Sequence, residues 1–147
     1  MSEFALESSA FQHAEAIPDR HTCKGEDVAP PLRWTNVPEG TRSLALIVDD
    51  PDAPGGVFTH WIAWGLDPAD GLGEDDAAPR EGRNGFGTTG YRGPCPPPGD
   101  GRHRYVFRLY ALDEEPELGA GAGKAELEQA IAGHVLMTAE LVGTFER

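Results

Sequence analysis

The side chains best suited to chemistry in this 147-residue sequence are two acids and a histidine in one short segment. Asp50, Asp52 and His60 lie within Asp49–Trp61, which reads DDPDAPGGVFTHW and also contains two prolines and two adjacent glycines. Aspartates at the end of a buried strand need hydrogen-bond donors, because an unpaired buried carboxylate costs several kcal/mol. The segment therefore predicts a site in which these polar groups meet partners.

A second segment, Gly93–Tyr105, is the expected partner of the first. It reads GPCPPPGDGRHRY, and it ends with His103 at the start of a predicted strand. Loops that are stiffened by proline hold polar groups in place with little entropy left to lose. We expect the two segments to fold against each other and to form one small pocket.

Three interpretations fit Asp50, Asp52, His60 and His103. Two imidazoles and two carboxylates can bind a metal ion. They can also form an anion site, in which imidazolium and backbone N–H groups hold a phosphate while the acids orient the histidines. In the third interpretation the acids only cap loops and the histidines fill polar gaps. The rigid prolines favour a constructed pocket, but spacing alone does not separate the three.

Cys95 and His103 also suggest a nucleophile and its base. No third group and no oxyanion hole accompany them, so a hydrolase is the weakest interpretation. Cys23 and Cys95 have no CxxC spacing and do not predict a zinc site. We expect free thiols, because cytosolic cysteines are usually reduced, although a bridge would join the N-terminal loop to the pocket loop.

Apolar runs flank the two segments and are expected to position them. Leu44–Val48 predicts a buried strand, and Phe58–Leu66 predicts a strand with His60, Ile62 and Trp64 on one face and Trp61 on the other. Further strands are predicted within Phe4–Ile17, at Leu32–Trp34 and at Tyr105–Leu112.

One late helix is predicted over Lys124–Val142, where Leu127, Ile131, Val135, Thr138 and Val142 follow a helical stripe. The long polar segment Asp67–Gly90 is expected to be a functional or partly disordered loop. Several strands followed by one helix predict a single, mostly β domain over residues 1–147: an antiparallel β-sandwich with a C-terminal α-helix.

The charge balance excludes several partners. A net charge of -13 argues against nucleic acid and against anionic membrane surfaces. With Lys24 and Lys124 as the only lysines, the composition fits a high-salt cytoplasm as well as an ordinary acidic protein. No apolar run approaches the ~20 residues of a membrane span, and residues 1–10 lack a signal-peptide pattern. We therefore expect a cytoplasmic protein that does not insert into membranes.

Taken together, the motifs resemble the phosphatidylethanolamine-binding protein family, and in particular its bacterial and archaeal Raf-kinase-inhibitor-like branch. They are IVDDPDAP followed by Thr59-His60-Trp61, then GPCPPPGDGRHRY, HRYVFRLYALD and the final AELVGTFER, with further matches along nearly the whole chain. The resemblance implies a Greek-key antiparallel β-sandwich with a late helix. It also implies a small pocket for phosphate-type anions and phospholipid head groups.

The resemblance assigns roles to individual positions. Asp50 and Asp52 match the two acids of DPDAP, His60 matches the pocket histidine, and His103 and Tyr105 match the histidine and tyrosine of HRY. The pocket wall is expected at Gly93, Pro94, Cys95, Pro96 and Pro97. A cis peptide bond is expected before Pro54, whereas Asp49 is expected to be solvated.

These observations predict a non-enzymatic binding protein with no cofactor and no bound metal. His60, His103 and Tyr105 would donate hydrogen bonds to a small anionic or phosphate-bearing ligand, and Asp50 and Asp52 would orient the donors. The alternative is a protein-interaction module that inhibits a serine protease or a kinase through the Asp67–Gly90 surface. A homodimer is expected, with Trp34, Trp64 or the helix stripe as its apolar patch.

Overall fold

The computed structural model describes residues 3–147, and within them it contains seven β-strands, one α-helix and a short 3₁₀ turn. The strands alternate with turns and irregular loops, and the helix lies between the last two strands. Their bounds are β1 Ala5–Glu7, β2 Arg33–Thr35, β3 Ser43–Asp50, β4 Phe58–Leu66, β5 Arg80–Glu81, β6 His103–Leu112, α1 Lys124–Ile131 and β7 Val135–Phe145.

Two antiparallel sheets organise these strands. The larger sheet has the order β5-β4-β3-β6-β7, and the smaller sheet pairs β1 with β2. The long connection after β4 carries the chain across, so that β6 pairs with β3 on the side opposite β4. The mostly β class with antiparallel sheets and one late helix is confirmed.

The central strand β3 of the five-stranded sheet is buried on both faces. On one face Leu44, Leu46 and Val48 of β3 join the larger core, to which the β1–β2 sheet contributes Leu6 and Trp34. On the opposite face a second core contains Ala45, Ile47, Ile62, Trp64, Leu112, Leu127 and Ile131. Because β3 is covered on both sides, its residues are apolar at consecutive positions, as the sequence indicated.

The predicted helix over Lys124–Val142 is wrong in its second half, because α1 ends at Ile131 and the chain continues as β7. Gly133 has φ of 82°, a left-handed conformation that stops a helix. From there the burial alternates, and Ala139, Leu141 and Phe145 are buried while Glu140 is exposed. Pairing with β6 along ten positions favours a strand over the helical period of the apolar residues.

The cis peptide bond expected before Pro54 is also wrong, since residues 3–147 contain no cis peptide bond. The Gly56 amide donates to the Ala53 carbonyl at 3.1 Å, which closes a turn with Pro54 at its second position. A trans proline fits the second position of the common β-turns, whereas type VI turns have their cis proline at the third position. The turn therefore forms without the cis isomer.

The apolar patch lies elsewhere than predicted. Trp34 and Trp64 are buried, and the helix residues Leu127 and Ile131 are covered by the sheet. Among residues 3–147 the exposed large hydrophobic side chains are Val57, Phe86, Val135, Leu136 and Met137. In this same range no helix is long and apolar enough to span a bilayer.

Candidate functional site

The polar residues of the two predicted segments meet at one end of the central strand β3. Because β3 is antiparallel to both neighbours, its last residue, Asp50, lies beside the first residues of β4 and β6. Those strands supply His60 near the start of β4, and His103 and Tyr105 at the start of β6. The topology thus brings together two pairs of residues, Asp50 with His60 and His103 with Tyr105, that are more than 40 positions apart in the sequence.

A β-bulge places His60 in this site. Val48 pairs with Trp61 and Asp49 pairs with Thr59, so His60 is an extra residue with no partner on β3. A bulge breaks the alternation of side chains and can re-aim one of them. His60 therefore lies against Tyr105, with ring centroids 5.3 Å apart, whereas Ile62 and Trp64 pack in the core beneath the helix. The predicted shared face of His60, Ile62 and Trp64 is wrong for this reason.

The residues surround a pocket of about 150 Å³. This volume is below the ~300 Å³ at which drug-sized ligand pockets begin, so it suits a group of a few heavy atoms. Its walls combine aromatic rings, prolines and a few polar groups: Asp50, Ala53, Pro54, Phe58, His60, Phe86, Cys95, Pro96, Pro97, His103 and Tyr105.

His103 is held between two carboxylates. Its Nδ1 lies 2.7 Å from Asp50 Oδ2, and its Nε2 lies 2.6 Å from Asp100 Oδ2. Burial by itself lowers the pKa of His103, but the hydrogen bonds to Asp50 and Asp100 outweigh it and raise the pKa of the ring. Both ring nitrogens donate in this arrangement, so neither is left to donate to a ligand as predicted.

Asp50 has both carboxylate oxygens engaged. Oδ2 accepts from His103, and Oδ1 accepts from the backbone N–H of Asp52 at 2.8 Å. The side chain is buried, with only 3% of the residue exposed, so these donors satisfy a carboxylate that water does not reach. Its orienting role toward His103 has the geometry that the sequence predicts.

His60 is buried and makes one side-chain hydrogen bond among the described residues. Its Nδ1 lies 2.7 Å from the carbonyl oxygen of Arg92. Burial lowers the pKa of His60 and favours the neutral ring. The pKa of His60 is thus shifted in the opposite direction to that of His103, although the sequence pattern predicts the same role for both histidines.

Tyr105 contributes an unsatisfied group to the site. Its hydroxyl is buried and has no hydrogen-bond partner, one of two such side-chain atoms within residues 3–147; the other is Trp64 Nε1 in the core beneath the helix. Burial raises the pKa of Tyr105, and so does the Asp50 carboxylate, which lies near the hydroxyl without meeting hydrogen-bond geometry; the hydroxyl therefore keeps its proton. Orphaned buried polar atoms are rare in folded proteins and call for a partner such as a ligand or water.

Asp52, a predicted site residue, lies outside the pocket wall. Its carboxylate accepts from Arg104 Nε and Nη2 at 2.9 and 2.8 Å and from the Arg104 backbone N–H at 2.9 Å. The hydrogen bonds from Arg104 lower the pKa of Asp52 to about 2. Asp52 therefore fastens the DPDAP turn to the start of β6, and its charge is already paired.

Cys95 lines the pocket as half of a disulfide with Cys23, 72 residues away in sequence. The expectation of free thiols is wrong, because both rigid loops bring the Cα atoms to 5.4 Å. The bond leaves Cys95 without the thiol that the hydrolase interpretation requires.

Gly93 and Pro94 were also predicted as wall residues, but they do not line the pocket. They anchor the loop that carries Cys95. The Gly93 amide donates to Asp27 Oδ1 at 2.9 Å, and the Pro94 carbonyl accepts from the Cys23 amide at 3.1 Å. A Cβ on Gly93 would lie 2.1 Å from the His21 carbonyl oxygen, so only glycine fits there. Of the predicted wall, Cys95, Pro96 and Pro97 reach the pocket.

Two aromatic residues of the pocket were not singled out from the sequence. Phe58 and Phe86 pack edge to face, with ring centroids 4.8 Å apart, and the Arg92 guanidinium lies 4.5 Å from the Phe86 ring. Phe86 belongs to the long Asp67–Gly90 segment, which therefore forms part of the pocket. The preference of Phe58 for the position opposite Asp50 follows from strand pairing, which no local pattern reveals.

Asp49 is not the solvated residue that the sequence predicted. It is 8% exposed, and its carboxylate accepts from Lys124 Nζ and from the Thr59 hydroxyl, both at 2.8 Å. It faces α1 rather than the pocket, because neighbouring residues of β3 point to opposite faces of the sheet.

The metal interpretation of the pocket residues does not match their positions. Asp52 is paired with Arg104, and both ring nitrogens of His103 already donate to carboxylates. Within the described residues, ligand atoms converge elsewhere, where His134 Nδ1 lies 2.9 Å from Asp113 and 3.2 Å from Glu114. His134 is therefore a partly exposed residue next to two acids, with 40% of its side chain accessible.

Comparison with known sequences identifies related proteins along the whole chain. The profile of the phosphatidylethanolamine-binding protein family matches residues 7–146. A UPF0098 protein of Pyrococcus abyssi is 47% identical over 99% of this chain and 86% of its own length.

Solved structures show the same similarity. A putative phosphatidylethanolamine-binding protein homologue from Chlamydia trachomatis superimposes with a TM-score of 0.93 at 40% identity, covering 98% of this chain and 97% of its own. YbcL of Escherichia coli, described as a member of the mammalian family, superimposes with a TM-score of 0.92 at 31% identity and covers 99% of both chains.

Proposed function

The chain belongs to the phosphatidylethanolamine-binding protein family, and from this premise we propose that its pocket binds a small phosphate-type anion or a phospholipid head group without catalysing a reaction. The observation that carries the proposal is the buried Tyr105 hydroxyl, which has no hydrogen-bond partner within residues 3–147 and belongs to a residue that lines the pocket. Because this hydroxyl is sealed in the free protein, the pocket wall would have to shift slightly for a ligand to reach it. A bound phosphoryl oxygen would accept the hydrogen bond that this hydroxyl lacks.

Positive charge at the rim supports an anionic ligand. Arg92 lies over Phe86, which lines the pocket, and Arg147 Nε donates to the carbonyl of the pocket residue Pro96 at 2.7 Å. Inside the pocket, His103 is shared between the carboxylates of Asp50 and Asp100, and the Arg92 guanidinium also lies 3.7 Å from Asp27 Oδ2. The two guanidinium groups would therefore have to offset a phosphate together with part of this negative charge.

The pocket size supports a head group rather than a whole lipid. About 150 Å³ accommodates a phosphate with a short substituent, and the aromatic rings of Phe58 and Phe86 provide the apolar wall for that substituent. An acyl chain would have to remain outside.

An NMR titration with ethyl phosphate, following the ring protons of His60 and His103, tests the proposal. We expect saturable shifts of the His60 signals at millimolar ligand, and we expect the Tyr105→Phe variant to bind more weakly. The matched control is Tyr110→Phe, a change on the same strand that leaves the pocket unaltered. The absence of any shift at millimolar ligand would contradict the proposal.

A second candidate function is protein binding, such as the inhibition of a serine protease or a kinase. It is favoured by the exposure of Phe86 and Val57 beside the pocket, at 40% and 59%. An assay against a panel of proteases and kinases tests this candidate. Inhibition that survives His60→Ala would support a surface mechanism, and no inhibition by the wild type would exclude it for that panel.

The homodimer remains a proposal, now at a different surface. Val135, Leu136 and Met137 are exposed on β7, which is an edge strand of the large sheet. Two edge strands related by a two-fold axis can pair with each other. Sedimentation should show a dimer, and a Leu136→Lys variant should be monomeric; a monomeric wild type would contradict the proposal.

We propose from the sequence that the protein is cytoplasmic. The disulfide must then resist reduction in that compartment. Cytosolic thiols are usually kept reduced, so the Cys23–Cys95 bond would have to persist there. Cell fractionation with alkylation of free thiols should find an oxidised pair in the cytoplasmic fraction. Recovery of the protein from another fraction would contradict this location.

A further inference from the structure

The protonation of His60 is defined by its one hydrogen bond. Nδ1 lies 2.7 Å from the carbonyl oxygen of Arg92, and a carbonyl oxygen can only accept. Nδ1 therefore carries a proton. In the neutral ring Nε2 then carries a lone pair and acts as an acceptor.

The burial of His60 favours the neutral ring. It is 3% exposed, and burial lowers its pKa, although the Arg92 carbonyl and the carboxylates of Asp50, Asp27 and Asp49 act in the opposite direction. The titratable and charged groups that face it come from β3, β6 and the adjoining loops, namely Asp49, Asp50, His103, Tyr105, Asp27 and Arg92. The nearest acid, Asp50, is already paired with His103, which limits its pull on a second proton.

The free acceptor faces the pocket. His60 lines the pocket, and its Nε2 has no hydrogen-bond partner within residues 3–147. Within residues 3–147, the buried side-chain polar atoms without a partner are Tyr105 Oη and Trp64 Nε1. His60 Nε2 is not among them, so it is not sealed from the pocket. The His60 and Tyr105 rings meet edge to face at 5.3 Å between centroids. The pocket therefore presents one acceptor, His60 Nε2. The neighbouring donor, the Tyr105 hydroxyl, is sealed in the free protein, and a ligand would reach it after a small shift of the pocket wall.

We propose that the pocket requires a ligand group that both donates to His60 Nε2 and accepts from the Tyr105 hydroxyl. A phosphomonoester monoanion has this pattern, because it carries one P–OH and further phosphoryl oxygens. A sulfate monoester has the same shape and charge but no proton to donate. This inference rests on the proposed function and narrows it to the protonated form of a phosphate ester.

Affinity as a function of pH does not by itself test the proposal. The second pKa of a phosphate ester is about 6, so binding of the monoanion strengthens as pH falls toward that value. An imidazolium at His60 that binds the dianion would give the same number of protons in the complex. The two arrangements differ in where the proton lies, and the isosteric ligand separates them.

Calorimetric titrations of the wild-type protein at pH 6 with ethyl phosphate and with ethyl sulfate test the donor requirement. We expect ethyl sulfate to bind at least about tenfold more weakly, because its oxygen would face the Nε2 lone pair with no hydrogen between them. Nitrogen-15 spectra of the ethyl phosphate complex should show Nε2 of His60 without a covalent proton.

Two variants complete the test. His60→Gln offers both an acceptor and a donor, so it should bring the affinities for the two esters to within about threefold of each other. Tyr105→Phe should weaken both esters to a similar extent, because both accept from the hydroxyl.

Equal affinity of the wild type for the two esters, or a protonated Nε2 in the complex, would overturn the inference and leave the proposed function standing. Failure of both esters to bind the wild type would overturn both.

Discussion

At the scale of single residues, the pocket separates two histidines that look equivalent in the sequence. His103 lies between Asp50 and Asp100, whose hydrogen bonds raise its pKa, whereas His60 donates to a backbone carbonyl and its burial lowers its pKa. In our proposal the first histidine supports the wall, and the second contacts the ligand. The difference arises from carboxylate neighbours that only the folded chain supplies.

Tyr105→Phe should affect binding and stability in opposite ways. The hydroxyl has no hydrogen-bond partner among residues 3–147, so its removal should leave the free energy of unfolding unchanged or raise it by up to ~1 kcal/mol. Urea denaturation measures this effect, and titration with ethyl phosphate measures the loss of affinity. A large loss of stability would mean that the hydroxyl is satisfied within the protein.

His103→Gln should destabilise the protein in a pH-dependent way. The pKa of His103 is raised in the folded state, so its ion pairs contribute fully below the unfolded pKa of about 6.5 and are lost as pH rises through the folded value. The difference in free energy of unfolding from wild type should be about 1.5–3 kcal/mol near pH 6 and smaller at pH 9. A difference that grows with pH would contradict the assignment.

Most of the polar residues that line the pocket could be predicted from the sequence, but their contacts could not. Asp50, His60, His103 and Tyr105 stood out by residue type and motif, and all four line the pocket. Asp52 could not be separated from Asp50, because its partner Arg104 is 52 residues away. Phe86 lies in a loop without a periodic pattern, and its approach to Phe58 is a tertiary contact.

At the scale of elements, irregularities in the strands determine the site more than the strands do. The bounds of β4 agree with the predicted Phe58–Leu66, yet the bulge at His60 was not visible in the alternation of apolar residues. A bulge costs a ladder pairing and is specified by the neighbouring strand, so a local pattern does not reveal it. The predicted second half of the helix was wrong for a related reason, since the apolar residues of β7 also fit a helical stripe.

Gly133→Ala tests the end of the helix. Gly133 has φ of 82°, so a side chain there should lower the free energy of unfolding by about 1–2 kcal/mol. Gly119→Ala is the matched control, because Gly119 has no neighbour within 4 Å of an added Cβ and its φ is not positive. Equal effects of the two substitutions would show that the conformation of Gly133 does not determine where α1 stops.

At the scale of the whole molecule, the Cys23–Cys95 disulfide joins the N-terminal third of the chain to the pocket. The two residues are 72 positions apart, and Cys95 is itself part of the wall. The Cys23 amide donates to the Pro94 carbonyl, so the same two loops are also linked by a backbone hydrogen bond. The order of the wall thus depends on a distant segment, a contact that the spacing of the two cysteines does not reveal.

Replacing both cysteines with serine should lower the free energy of unfolding by about 2–4 kcal/mol, because the open chain gains conformational freedom when unfolded. Affinity for ethyl phosphate should also fall, since the Cys95–Pro97 wall loses its tether. Thermal melting and calorimetry measure the two effects. Reducing agent should reproduce them in the wild type and leave the double variant unchanged; a wild type insensitive to reduction would contradict this role.

Binding of a phosphate group in this pocket is tested most directly by a crystal structure of the protein grown with millimolar ethyl phosphate. We predict density for one phosphate in the pocket, with one oxygen within hydrogen-bond distance of the Tyr105 hydroxyl and another within that distance of His60 Nε2. An empty pocket in crystals that bind the ester elsewhere on the surface would contradict the account.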